Sequence, residues 1–242
     1  METKQHVQLP NGMTADEDIT PQDLLIYVAI KRFMNKDTKE AFPSLATISQ
    51  KSGASIPTIR KSIKKLQGTY FEVIKKGRSQ YYLFDKKYKK FEPFSYDFLD
   101  KEDLTFTEKA YIIASQQYMF KDNEGVGKLS LTNSELSERI NMPEATISKC
   151  NRSLTSKEYL SIIRCTKTDP ETGVQLQEKI FHLDELGQAV IWALHNHEER
   201  IQNNERRIDS NEKDLRMALD EIARLKSEIQ ELKGQKLDPI PI

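Results

Sequence analysis

Phe42-Pro-Ser-Leu-Ala-Thr-Ile-Ser49, followed by Gly53-Ala-Ser-Ile-Pro-Thr-Ile-Arg-Lys-Ser-Ile-Lys-Lys-Leu66, is the stretch that decides the fold. Ser44 stands where it caps a short helix carrying Leu45 and Ile48. Gly53 supplies the left-handed backbone that a sharp helix-to-helix turn needs. A longer helix starts at Ser55 as N-cap and is predicted to stop at Gly68. Ile59, Ile63 and Leu66 recur on it at i, i+4 and i+7 and define a buried face. Thr58, Arg60, Lys61 and Lys64 then lie towards the opposite side.

Upstream, Thr20 and Pro21 open a helix predicted over residues 21–35, with Leu24, Leu25, Val28, Ile30 and Phe33 as one apolar stripe. Downstream, Tyr70-Phe-Glu-Val-Ile and Gln80-Tyr-Tyr-Leu-Phe are β-rich runs on either side of Lys75-Lys-Gly-Arg-Ser, which places Lys75, Lys76 and Arg78 at the tip of a hairpin. The whole pattern then recurs. Asp18-Ile-Thr-Pro and Asp103-Leu-Thr-Phe are 85 positions apart, while Pro43-Ser-Leu-Ala and Leu131-Thr-Asn-Ser are 88 apart, the second copy having three extra residues within a loop at 121–129. Thr132 takes the capping place of Ser44, and Asn141 the turn place of Gly53. Pro143 opens the third helix, and a second hairpin folds back at Asp169-Pro-Glu-Thr-Gly173.

Two apolar helices joined by a tight turn form the helix-turn-helix pattern, and the hairpin after it is a wing. The quoted stretch resembles the winged helix-turn-helix domains of bacterial, plasmid and phage proteins: replication initiators, replisome organisers of the DnaD type and transcription regulators. That resemblance covers about residues 18–183 and is most pronounced at 42–84. It implies the fold and double-stranded DNA as partner, without choosing between replication and transcription. The expected fold class is mainly α with small β-hairpin wings. The expected layout is a disordered lead-in at 1–17, a first winged domain at 18–90, a linker at 91–102, a second winged domain at 103–183, a coiled-coil helix at 184–233 and a loose tail at 234–242.

Charge points the same way. The 242-residue chain is formally neutral, with 37 basic and 37 acidic side chains, yet residues 51–90 hold twelve basic groups against only Glu72 and Asp85. Duplex DNA is a line of phosphates, and binding exchanges their counterions for Lys and Arg. Ser55, Pro57, Thr58, Arg60, Lys61, Lys64 and Lys65 are the expected contacts on the recognition helix, and Arg60 is suited to a bidentate contact with guanine. Lys75, Lys76 and Arg78 of the wing are expected on phosphates or in a minor groove. The second copy is weaker. Its equivalents are Thr146, Ser148, Lys149 and Arg152, with Glu144 nearby as a repulsive charge. DNA contact by this copy and a packing or protein-contact role stand as alternatives.

Beyond the second wing, Leu194, Ile201, Ile208, Leu215, Ile222 and Ile229 recur every seven residues, with Leu225 and Leu232 three positions after the last two. This heptad predicts a coiled coil joining two parallel copies of the chain. Cys150 and Cys165 have no metal-type spacing, and His6, His182, His195 and His197 form no ligand set. Gly125-Val-Gly-Lys lacks the first glycine of a phosphate-binding loop, because Asp122 stands there. The expectation is a non-enzymatic, cytoplasmic DNA-binding protein with no cofactor or metal, acting as a replication initiator or transcription regulator of a phage, plasmid or bacterium. The rival is an assembly or adaptor protein whose winged helices and coiled coil bind other proteins.

Overall fold

The chain opens with strand β1 (His6–Pro10) and the single-turn helix α1 (Asn11–Thr14), then enters α2 (Pro21–Lys31). After β2 (Glu40–Ala41) come α3 (Leu45–Ser52), α4 (Ile56–Leu66) and the hairpin β3 (Glu72–Lys76) and β4 (Ser79–Leu83). The sequence of elements then repeats: β5 (Phe91–Ser95), α5 (Tyr96–Leu99), α6 (Phe106–Ser115), the short strands β6 (Phe120–Lys121) and β7 (Val126–Leu129), α7 (Asn133–Ile140), α8 (Glu144–Ser156), β8 (Leu160–Thr168) and β9 (Gln175–His182). The last element is α9 (Ala189–Gly234). This computed structural model describes residues 5–77, 79–86, 88, 90–121, 126–168, 175–186 and 188–234, without the side chains of 164–168, 175–177, 189–200 and 230–234. Arg78, the second hairpin turn at 169–173, the tail from residue 235 and the side chains of Leu194 and Leu232 lie outside the described residues.

Contacts divide the chain into two units, Met1–Ala193 and Leu194–Ile242. Both helix-turn-helix copies belong to the first unit, which corrects the picture of two domains separated by a linker. The supposed lead-in and the supposed linker are what unite the copies. β1 pairs antiparallel with β5, His6 opposite Ser95 and Pro10 opposite Phe91. The residues between carry the apolar side chains this junction buries: Val7, Leu9, Met13, Phe94, Phe98 and Leu99.

β1 and β5 are 85 positions apart, the same offset that separates the two first helices. Equivalent strands therefore pair with each other, centred where Gln8 faces Pro93. Antiparallel pairing of equivalent segments places a local twofold axis at that point. The helix-turn-helix turns obey it. Gly53 sits against Phe106, at the start of α6. Asn141 donates from Nδ2 to the Glu17 carbonyl, just before α2, at 3.3 Å. Arg32 at the end of α2 holds Asp100 at 2.8 Å, and its counterpart Gln117 is hydrogen-bonded to Thr14.

The axis also explains α2. The sequence suggests one apolar stripe, but Leu24, Leu25, Ile26, Tyr27, Val28, Ala29 and Ile30 are all buried, because α6 packs on the side away from α3 and α4. A helix enclosed on every side needs no polar face. It ends at Lys31 rather than residue 35.

The fold is mixed α/β rather than mainly α, with three small antiparallel sheets among the described residues. The first wing is a three-stranded sheet of order β2-β4-β3. The second has the matching order β7-β9-β8 with β6 added at its edge, so Lys121 and residues 126–129 of the loop expected at 121–129 are strand, and 122–125 lie outside the described residues. No helix among the described residues is long and apolar enough to cross a membrane.

Gly53 has φ 78° and Asn141 φ 51°, so both turns use the left-handed region. Gly53→Val is expected to lower stability by about 1–2 kcal/mol through backbone strain, and Gly53→Asn by less. Urea unfolding of the two variants beside the parent protein checks this.

Candidate nucleic-acid interface

Each helix of the first helix-turn-helix begins with the same device. Ser44 Oγ accepts from Thr47 N at 3.0 Å and Ser55 Oγ from Thr58 N at 3.3 Å, and in both pairs the two hydroxyls are 2.8 Å apart. These caps satisfy backbone donors that a helix leaves open at its first turn. Ser55, expected as a DNA contact, is exposed and also serves as the cap of α4. Gly68, with φ 80°, lies in the turn after α4, whose cap is the extended Gln67.

What aims α4 is a buried carboxylate on α2. Asp23 accepts from Ser62 Oγ at 2.5 Å and Lys65 Nζ at 2.9 Å, and from the Thr20 amide and hydroxyl at 3.0 and 2.7 Å. Burial alone raises its carboxyl pKa, but the hydrogen bonds from Ser62, Thr20 and Lys65 outweigh that and hold it below the ordinary value. Ser62 and Lys65 are thus fixed towards α2, together with the buried Ile59, Ile63 and Leu66. Lys65, expected as a DNA contact, is a partner of Asp23 rather than a free cation.

The rest of the helix faces outward. Arg60, Lys61 and Lys64 are exposed, as is Pro57, while Thr58 is half-buried. Among the described residues none of the three cations makes an ion pair or side-chain hydrogen bond. Several other basic groups of the 51–90 stretch are occupied. Lys51 and Arg32 share Asp100, whose carboxyl is held at about 2, chiefly by the Arg32 hydrogen bond. Lys86 donates to the Gly68 and Thr69 carbonyls.

In the wing, Lys75 and Lys76 belong to β3 rather than to a loop. Their strand partners are Gln80 and Ser79, and the chain reverses at Gly77. Lys75 is exposed, whereas Lys76 is bound to Glu40 at 2.6 Å and lies over the Tyr81 ring.

Two residues of this face escaped the sequence reading. Phe42 is 65% exposed and its ring lies 5.5 Å from that of Tyr81, tilted by 41°, and Ile56 is 39% exposed in the first turn of α4. Ile56 sits where an apolar side chain can meet a thymine methyl. The available signal was an isoleucine one turn before the buried stripe, at the helix start.

The second copy repeats the clamp with other residues. Glu108 accepts from Lys157 at 3.0 and 2.8 Å and from the Thr105 amide at 2.7 Å. Lys149 and Arg152 are exposed on α8, 88 positions from Lys61 and Lys64. Ser148, in the place of Arg60, accepts from Asn133 Nδ2 at 3.1 Å, and Thr146 is half-buried. Glu144 is exposed where the first copy has Ile56. The second copy thus keeps two of the three exposed cations and has Ser148 in the place of Arg60.

Asp23→Asn is expected to lower stability at neutral pH by about 2 kcal/mol. A carboxyl held low in the folded state stabilises above its unfolded value of about 4, and that contribution is lost as pH falls through the folded-state value. The gap between the two proteins should therefore close in acid, which denaturant titration at several pH values would measure.

Comparison with known families finds a helix-turn-helix domain at residues 17–69. The match spans α2, α3 and α4, the elements that build the outward cationic face, and supports DNA as a partner. No curated protein matches the chain.

Proposed function

We propose that the chain binds duplex DNA at specific sites, with α4 in the major groove and the β3–β4 hairpin alongside. It serves as a replication initiator or transcription regulator of a phage, plasmid or bacterium, and as a binding protein rather than a catalyst. Arg60, Lys61 and Lys64 carry this reading: three exposed cations, without ion-pair partners among the described residues, on one side of a helix whose other side is clamped to α2. Arg60 suits a guanine edge, Ile56 a thymine methyl, and Lys61, Lys64 and Lys75 suit phosphates. Two chains act together through α9.

The local twofold axis favours a second contact. It relates α8 to α4 as one subunit of a symmetric dimer relates to the other. A single chain then offers two inverted reading heads of unequal strength, the weaker formed by Lys149 and Arg152.

Fluorescence anisotropy with a duplex selected from a random pool tests both parts. Affinity should fall steeply with salt, and Lys64→Ala should flatten the slope of log K against log salt by about 1. Arg60→Ala with Lys61→Ala should weaken binding at least tenfold, whereas Lys65→Ala should affect stability more than affinity. Equal binding by the double variant would remove the groove assignment and leave the adaptor role. Lys149→Ala with Arg152→Ala should weaken binding less than the first pair; no change would restrict DNA contact to the first copy.

A further inference from the structure

In α9 a row of large apolar side chains faces solvent in the single chain. Ile201, Ile208, Leu215, Ile222 and Ile229 are 44–60% exposed, and Leu225 beside them is 44% exposed. Their seven-residue spacing suits a left-handed seam between two helices. Numbering that row as the a positions of the heptad places Asn204, Asn211, Ala218 and Leu225 at d. It places Arg207, Asp214 and Glu221 at g, and Glu205, Glu212, Leu219 and Lys226 at e.

We propose that the occupant of this face is a second copy of the chain, and that the two α9 helices run parallel and in register as a two-stranded coiled coil. This rests on the pairing of chains given above and is independent of how DNA is read. Two observations choose the orientation. The first is charge. Parallel strands in register bring each g residue to the following e residue of the other helix. Arg207 then meets Glu212 of the partner subunit, Glu221 meets Lys226 of the partner subunit, and Asp214 meets an uncharged leucine. Within 201–229 no like charges oppose each other. Glu221 already takes Arg224 of its own helix at 2.9 Å, but through Oε1 alone, which leaves its second oxygen for the partner.

The second observation is the pair of asparagines. In parallel register Asn204 and Asn211 each face their own copy, so one amide donates to the other's carbonyl oxygen. Antiparallel strands would set both against isoleucine or leucine at a, leaving buried amides without partners. The asparagines weaken the seam's first half and fix its register, while Leu215, Ile222, Leu225 and Ile229 supply association in its second half.

The orientation has a consequence for the whole molecule. At about 1.5 Å per residue the 46-residue helix is about 69 Å long. Antiparallel chains would attach their N-terminal units at opposite ends of that length. Parallel chains attach both at the same end, which suits two neighbouring sites on one duplex.

Full-length protein tests this without DNA. Asn211→Cys should give a disulfide-linked dimer on mild oxidation, while Lys213→Cys, on the outer side of the helix, and the unaltered chain should not. Sedimentation should show a dimer for the unaltered chain. Glu221→Lys should raise its dissociation constant several-fold, and adding Lys226→Glu to the same chain should restore it. Ile208→Asp with Leu215→Asp should give a monomer, and because both side chains face solvent the first unit should keep its folded signal. A dimer that fails to cross-link through position 211 would overturn the parallel register. A monomeric parent protein would mean that the face is covered from within the chain. A dimer that survives the double aspartate variant would place the interface elsewhere, and either of these last results overturns the proposal.

Discussion

The buried carboxylate of Asp23 is the interaction on which the outward cationic surface of α4 depends. It takes one hydroxyl and one ammonium from α4, at Ser62 and Lys65, and so fixes the helix in rotation as well as in position. Lys61 and Lys64, each one residue before an anchor, and Arg60, two before Ser62, are thereby turned outward. Apolar burial of Ile59, Ile63 and Leu66 favours the same orientation but is non-directional. Hydrogen bonds to a carboxylate are directional, and a buried charge that loses them is costly. The clamp therefore spends one lysine of the basic stretch on aiming the others.

The second copy reaches the same arrangement by a different route. Glu108, one methylene longer than Asp23, is held by Lys157 from beyond the end of α8. Both carboxylates belong to capping boxes at the start of their helices, so each secures a helix terminus and the last helix of its helix-turn-helix at once. Equivalent clamps and the pairing of β1 with β5 make the unit behave as a dimer written into one chain. Unequal charge at Glu144 and Ile56, and at Ser148 and Arg60, breaks that symmetry where DNA would lie.

The helix-turn-helix itself was legible because its rules are local. Ser44 and Ser55 as caps, Gly53 and Asn141 as left-handed turns, and Ile59, Ile63 and Leu66 as a periodic face all stand within a few residues of one another. The repeat was legible from Asp18 onward for the same reason. Its first segment was not: His6-Val-Gln-Leu-Pro and Phe91-Glu-Pro-Phe-Ser share no residue at equivalent positions, and each makes a strand only because the other is there to pair with. Composition counted Lys51, Lys65, Lys76 and Lys86 as positive charge available to a ligand, whereas their partners are distant in sequence and visible only once the chain is folded. The row of isoleucines and leucines at seven-residue spacing was legible at long range because the spacing is itself the signal, and in α9 the row from Ile201 to Ile229 stands exposed.

The central claim is that the outer side of α4 is the surface that meets duplex DNA. Lysine reactivity tests it most directly: the protein is treated with an amine-acetylating reagent with and without a selected duplex, and modification is measured at each lysine by mass spectrometry. The account predicts that DNA protects Lys61 and Lys64 strongly and leaves Lys65, already bound to Asp23, almost unchanged. Protection confined to other lysines, with Lys61 and Lys64 equally reactive in both samples, would contradict it.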